Sequence, residues 1–309
     1  MGEFPGIEVL LVINARRAKA RRLAREVAAI LVDHGVRVWI GADDAEAVRT
    51  ADGLPLSGVD VLVSGDSASH ACELVVVLGG DGTILRAAEL ARASATPVLG
   101  VNLGHVGFLA EAEPEALADV VQAIVQRRWH VEERLALEVT VRRAGEVIAR
   151  TWALNEVSVE KLARERMIEV LVEVDGHPLS RWGCDGVVAA TPTGSTAYAF
   201  SAGGPVVWPE VAALLVVPLS AHALFARPLV ISPRSHIALD LASWSPAVLA
   251  ADGRRSVDLP PGSRVEVSAS SQPVRLARLA PAPFTDRLVA KFDLPVDGWR
   301  GVPSNEDDE

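Results

Sequence analysis

From residue 8 to residue 101 the chain alternates short apolar runs with longer stretches in which apolar positions recur every three or four residues. Residues 8–13 (EVLLVI) predict a strand, and residues 18–33 a helix whose buried side is Leu23, Val27, Ile30 and Leu31. Gly35 ends that helix, and residues 36–40 return as a strand. Residues 42–69 carry little pattern beyond a short strand at 59–63. Residues 74–78 (LVVVL) are apolar without alternation, as in a strand buried on both faces. From Thr83 to about Arg92 the rhythm is helical, with Ile84, Leu85, Ala87, Ala88 and Ala91 on one side, and residues 97–101 predict another strand. Strands alternating with helices predict an α/β domain with a parallel sheet.

After a helix at 115–127 the period changes to about two residues. Runs such as LALEVTVRRAGEVIARTWALNEVSVE read as strands, and Asp175–Gly176 between two of them predicts a hairpin. Further strands are expected at 235–241, 247–251, 264–269 and 273–279. The expected organisation is an N-terminal α/β domain over residues 1–112, an all-β sandwich-like C-terminal domain over 113–280, and a short acidic tail at 305–309.

A net charge of −10 argues against a nucleic-acid or membrane-surface binder, so the basic run 16–25 (RRAKARRLAR) reads as a solvated helix face. Two cysteines, Cys72 and Cys184, in separate apolar contexts suit a reducing compartment and form no zinc spacing. The first residues lack the basic start of a signal peptide, and no apolar run approaches membrane-spanning length. The expectation is a cytoplasmic protein.

The chemistry concentrates in a few stretches. Residues 73–92 (ELVVVLGGDGTILRAAELAR) run strand, glycine turn, helix start, which makes an anion site from free amides and the helix dipole. A carboxylate there, Asp81, suits handling a proton or a metal ion beside a phosphate; the plainer reading is a helix cap. The turn lacks the third glycine of a dinucleotide fingerprint and the Gly-Lys-Ser/Thr of a Walker loop. It falls, with the loop 102–108 (NLGHVGF), at the carboxyl ends of strands, where such sheets bind ligands. Gly104 and Gly107 there suit either a turn or close ligand approach. In the β region, Asn155–Glu156 reads as a turn, an edge or a binding pair, and 252–255 (DGRR) as a hairpin turn. The densest stretch is 183–205 (GCDGVVAATPTGSTAYAFSAGGP), whose small hydroxyls and glycines at a helix start suit ribose and phosphate oxygens. Tyr198, the only tyrosine, either packs or meets a nucleobase.

Taken together, GGDGT at 79–83, Asn155–Glu156 and TPTGSTAY at 191–198 resemble the NAD kinase family, with support from NLGHVGFL (102–109), SAGGPV (201–206) and PLSAHALFARPLVI (218–231). The likeness covers nearly everything from residue 74 to about 255. GGDGT alone also resembles lipid kinases and phosphofructokinases; the combination is specific. The resemblance implies transfer of the γ-phosphoryl of ATP to the 2′-hydroxyl of the adenosine ribose of NAD, giving NADP. It implies an α/β domain rejoined by the C-terminal segment 281–304 through a helix at 283–292, followed by a β-sandwich that binds NAD. By the same resemblance Asp81 is the proton acceptor, with Gly80, Gly82 and Thr83 beside it, Arg86 near a phosphate, and Gly107 and Phe108 in the neighbouring loop. Asn155, Glu156 and Asp185 hold parts of the dinucleotide; Thr193, Ser195, Thr196, Ala197, Tyr198 and Ser201 line the adenosine pocket; Arg166 and Arg254 are ligand contacts. Mg²⁺ accompanies ATP, polyphosphate is an alternative donor in some bacterial members, and the assembly is a homo-oligomer, dimer or tetramer. The competing readings are a lipid or sugar kinase sharing GGDGT, a nucleotide-binding regulator without catalysis, and a dehydrogenase.

Overall fold

The structure, a computed structural model, describes residues 6–62, 72–102, 107–110, 117–163, 166–280 and 283–296. Gly104, the end of the strand expected at 59–63, the start of the helix expected at 115–127 and the tail 305–309 lie outside them. The chain divides into two compact units, one formed by residues 1–132 with 275–309 and one by residues 133–274.

The first unit is an α/β layer structure. Its strands β1 (Glu8–Ile13), β2 (Arg37–Gly41), β3 (Val59–Leu62), β4 (Leu74–Leu78) and β5 (Val98–Val101) pair in parallel in the order β3-β2-β1-β4-β5. Every residue of β4 is buried, as its unbroken apolar run requires. Helices α1 (Ala18–Asp33), α2 (Ala42–Asp52), α3 (Asp81–Ala91) and α4 (Leu117–Val125) connect the strands. Leu23, Val27 and Leu31 of α1 and Leu117, Val120, Val121 and Ile124 of α4 share one core with β1 and β4. That packing carries α4 into this unit, and the division falls at residue 132, beyond the sequence-based boundary at 113.

Two features depart from the sequence reading. Residues 42–52 form a helix, where little pattern was expected. Only Asp44 and Val48 of α2 are buried, so it has almost no apolar stripe to read, and Gly53 in the left-handed region (φ 74°) closes it. The strand expected at 273–279 forms as β19 (Val274–Arg278), but it pairs in parallel with β5 and next to β6 (His130–Arg134), away from the sandwich. Alternation marks a strand without naming its sheet. Beyond β19, α6 (Phe284–Phe292) packs in the same unit.

The second unit stacks two antiparallel sheets. One has the order β11 (His177–Cys184), β10 (Ile168–Val174), β15 (Ile237–Leu241), β18 (Ser263–Ala269), β7 (Leu137–Arg143), β8 (Glu146–Ala153). The other runs β14 (Leu229–Ile231), β13 (Leu214–Leu219), β12 (Gly186–Ala190), β9 (Glu156–Lys161), β16 (Ala247–Ala251), β17 (Arg255–Leu259). Side chains from both sheets, including Val139, Val157, Val170, Val187, Leu239 and Leu249, share one core. The hairpin expected at Asp175–Gly176 forms, with both residues at positive φ (54° and 76°) as a two-residue turn needs. Cys72 and Cys184 are free and buried. No helix among the described residues is long and apolar enough to cross a membrane.

Candidate active site

In the first unit the chemistry is organised by Asp81. Gly80 is the N-cap of α3 and Asp81 its first residue, and no side-chain cap forms there. The plain reading of Asp81 as a helix cap is therefore wrong: its carboxylate reaches across to the loop after β5. Phe108 N–H donates to Oδ2 (3.1 Å) and Leu109 N–H to Oδ1 (3.1 Å). An ionised carboxylate has about four acceptor positions, so two amides leave two for a ligand. A methyl group on Gly80 or Gly82 would meet no protein atom, so packing does not demand glycine there. Thr83 is buried with its side chain beneath Gly79, where a methyl group would collide with it.

Arg86 stands one turn further along α3, but its guanidinium is engaged. It donates to both oxygens of Asp44 (2.9 and 2.7 Å) and to Ile13 O (2.6 Å). Asp44 also accepts from Ile13 N–H (3.1 Å), so one carboxylate ties α2, the end of β1 and α3 together. Asp44 escaped the sequence reading because the helix that carries it did.

Gly107 lies against Asp81 so closely that a methyl group would run into Oδ1. The obstacle is the far end of a side chain, which can swing aside. Gly107→Ala should therefore melt within a few degrees of wild type while kcat falls at least about tenfold, because Asp81 loses its position. A thermal melt with turnover tests this; unchanged kcat would remove any role for the fit.

In the second unit the register gathers three loops at one end of one sheet. The start of β9, the end of β12 and the end of β16 coincide, because Ala190 pairs with Glu156 and Ala251 with Val157. In EVSVEK, Val157 and Val159 enter the sandwich core, which leaves Glu156, Ser158 and Glu160 on the other face. There the segment 193–201, which ends in the one-turn helix α5 (Tyr198–Ser201), covers Val188 and Ala190 through Ala199 and Tyr198. β9 lies between β12 and β16, so Asn155–Glu156 is a turn into a central strand, and the edge reading is excluded.

That turn is held by Asp252, a residue the sequence offered only as part of a hairpin. Its carboxylate accepts the N–H groups of Leu154 (2.9 Å), Asn155 (2.7 Å) and Glu156 (3.4 Å) and a guanidinium N–H of Arg255 (2.9 Å). From the other side Thr191 N–H donates to Asn155 O (2.9 Å) and its hydroxyl to Leu154 O (2.6 Å). Gly194 packs on the Asn155 backbone so tightly that any β-carbon would overlap it. The Asp-Gly pair was a visible turn signal; its partner about a hundred residues earlier was not.

Burial, with the nearby Asp252 charge, pushes Glu156 up to about 8, offset only in part by the Tyr198 backbone amide. Burial also raises Asp252, against the lowering effect of its amides and Arg255. Asp252 has the better partners and carries the charge, while Glu156, with Oε2 buried and unpartnered, holds a proton at neutral pH.

At the other end of β9 and β12, Asp185 pairs with Lys161 (2.5 Å), and the Tyr198 hydroxyl donates to Glu160 (3.3 Å). Arg166 is exposed two residues before β10, whose first residue pairs with Cys184. The Ser195 hydroxyl is bound both ways by the backbone of Val207, and Thr196 bonds back to Thr193 O. Thr193 is buried, Ala197 half-buried, and Ser201 and Arg254 exposed. Asn155 and Glu156 thus form one cluster with the Thr191 turn, and Asp185 and Tyr198 mark a second, one strand length away.

These features match known families in both units. Residues 9–129 match the ATP-NAD kinase N-terminal domain and residues 154–279 the ATP-NAD kinase C-terminal domain. The chain is 57% identical over 311 residues to an NAD kinase of Thermobifida fusca, covering 99% of this chain and 95% of that one. The chain belongs to the NAD kinase family. NAD kinase 2 of Streptomyces coelicolor is likewise 57% identical, over 96% of this chain and 97% of that one. Among solved structures, yeast NADH kinase complexed with NADH superposes with a TM-score of 0.81 at 28% identity, covering 94% of this chain and 88% of that one. An NAD kinase from Archaeoglobus fulgidus in complex with ATP gives 0.68 at 26% identity, over 93% and 99%. The protein is accordingly a kinase, and the regulator and dehydrogenase readings fall away.

Proposed function

We propose that this kinase transfers the γ-phosphoryl of ATP to the 2′-hydroxyl of the adenosine ribose of NAD, with Asp81 as proton acceptor. The 2′-oxygen attacks the γ-phosphorus, the bond to the β,γ-bridging oxygen breaks, ADP leaves, and the hydroxyl proton passes to a free lone pair of Asp81. Such a transfer needs alignment and charge neutralisation rather than covalent help. The observation that carries the reading is the Asp81 carboxylate, fixed by two backbone amides at the opening of α3 with acceptor positions to spare. Glu156 and Asn155 serve the dinucleotide, held ready by Asp252 and Thr191.

Mg²⁺ would accompany ATP and would supply charge neutralisation for the phosphate oxygens. Asp81 is the protein group that would add a ligand to the ion, the other ligands being phosphate oxygens and water.

Purified protein given NAD, ATP and Mg²⁺ should form NADP, detected by an NADP-specific dehydrogenase, and phosphorus NMR should place the new phosphate on the 2′-oxygen. Phosphate on another hydroxyl, or turnover of a lipid or sugar in place of NAD, would overturn the proposal.

A further inference from the structure

The loop that holds Asp81 is itself held by the C-terminal helix. On α6, Phe284, Leu288 and Phe292 recur at four-residue intervals and form one stripe. The Phe108 ring sits against two of them, with centroids 5.8 Å from Phe284 and 5.9 Å from Phe292. One guanidinium N–H of Arg287 donates to Phe108 O at 2.8 Å. Beside it, Arg278 of β19 donates to Leu109 O at 3.1 Å.

The decisive detail is covalent. Phe108 C=O and Leu109 N–H belong to one peptide group. Its oxygen takes the Arg287 hydrogen bond, and its N–H gives the bond to Asp81 Oδ1. A planar peptide cannot rotate one end without the other, so fixing the oxygen fixes the direction in which the N–H points. A cation on the carbonyl also polarises the peptide and strengthens the N–H as a donor. Phe108 N–H, on the preceding peptide, completes the grip through Oδ2. A helix more than two hundred residues from Asp81 in sequence thus holds the loop whose amides the Asp81 carboxylate accepts.

We infer that Arg287 is a positioning residue for the phosphoryl transfer: through the 108–109 peptide it sets the orientation of Asp81. Phe284 and Phe292 fix the same loop by packing on Phe108. The inference rests on the reading of Asp81 as proton acceptor.

The test is a double-mutant cycle on the full chain, with NADP formation measured at varied NAD and MgATP. Arg287→Ala should lower kcat by about 10–100-fold, as loss of alignment does, with both KM values within about threefold of wild type. Arg287→Lys, which still offers a charged donor to Phe108 O, should recover most of that loss. In protein already carrying Asp81→Asn, Arg287→Ala should change kcat by less than about threefold, since it acts through the carboxylate that is gone. If Arg287→Ala loses its melting transition, Arg287→Gln, which keeps most of the aliphatic stem but ends in an uncharged amide two atoms short of the guanidinium N–H, takes its place in the cycle. Wild-type kcat in Arg287→Ala, a loss expressed only in KM, or an undiminished loss on top of Asp81→Asn would each overturn the relay. Asp81→Asn within tenfold of wild type would instead overturn the proton-acceptor reading itself, which the cycle reports separately.

Discussion

Asp81→Asn protein should turn over 10²–10⁴-fold more slowly than wild type, the usual value of a positioned general base. Two effects act together. The amide cannot accept the hydroxyl proton. It also has only one acceptor oxygen where the carboxylate offers two, so its NH₂ faces either Phe108 N–H or Leu109 N–H, donor against donor. That mismatch costs about 1–3 kcal/mol locally, so a modest drop in melting temperature accompanies the loss of rate. NAD binding should change little, because the Asn155–Glu156 turn is built by Asp252 and Thr191, with no part played by Asp81. Calorimetric titration with NAD, a melt and a turnover assay on one preparation separate the effects. A variant that binds NAD and still works within tenfold of wild type would end the general-base assignment.

What the sequence disclosed depended on whether the signal was local. The glycine turn, buried β4, the Asp175–Gly176 hairpin and the alternation in EVSVEK are properties of consecutive residues, and each was legible. The partners of Arg86, Asn155 and Phe108 were not. Asp44 lies 42 residues from Arg86, Asp252 97 residues from Asn155, and Arg287 179 residues from Phe108. Nothing in composition or period specifies such pairs; they follow from sheet order. β19 shows the same limit, since its alternating pattern fits the sandwich as well as the parallel sheet it joins. The supports behind the family motifs became visible only with the fold.

Glu156→Gln should abolish a pH dependence of stability that wild type carries. In the folded protein burial and the Asp252 charge push the Glu156 carboxyl up to about 8; in the unfolded chain it returns to the ordinary 4.5. Below pH 4.5 both states are protonated, and the residue costs nothing. Between 4.5 and 8 the unfolded state gives up its proton while the folded state keeps it, so stability falls as pH rises, by about 1.4 kcal/mol per unit. Over the window the loss is on the order of 5 kcal/mol, and above pH 8 it levels off. Glutamine has no proton to release, so this slope disappears. Denaturant unfolding of both proteins at pH 5, 6.5 and 8.5 should show the free-energy difference shifting towards the variant as pH rises. Above pH 8, where the Glu156 carboxylate is ionised, the variant should bind NAD less well, by roughly 1.5–3 kcal/mol where a charged hydrogen bond to ribose is lost. Parallel stability curves across pH 5 to 8.5 would refute the displaced titration, and an unchanged NAD affinity would refute the role in binding.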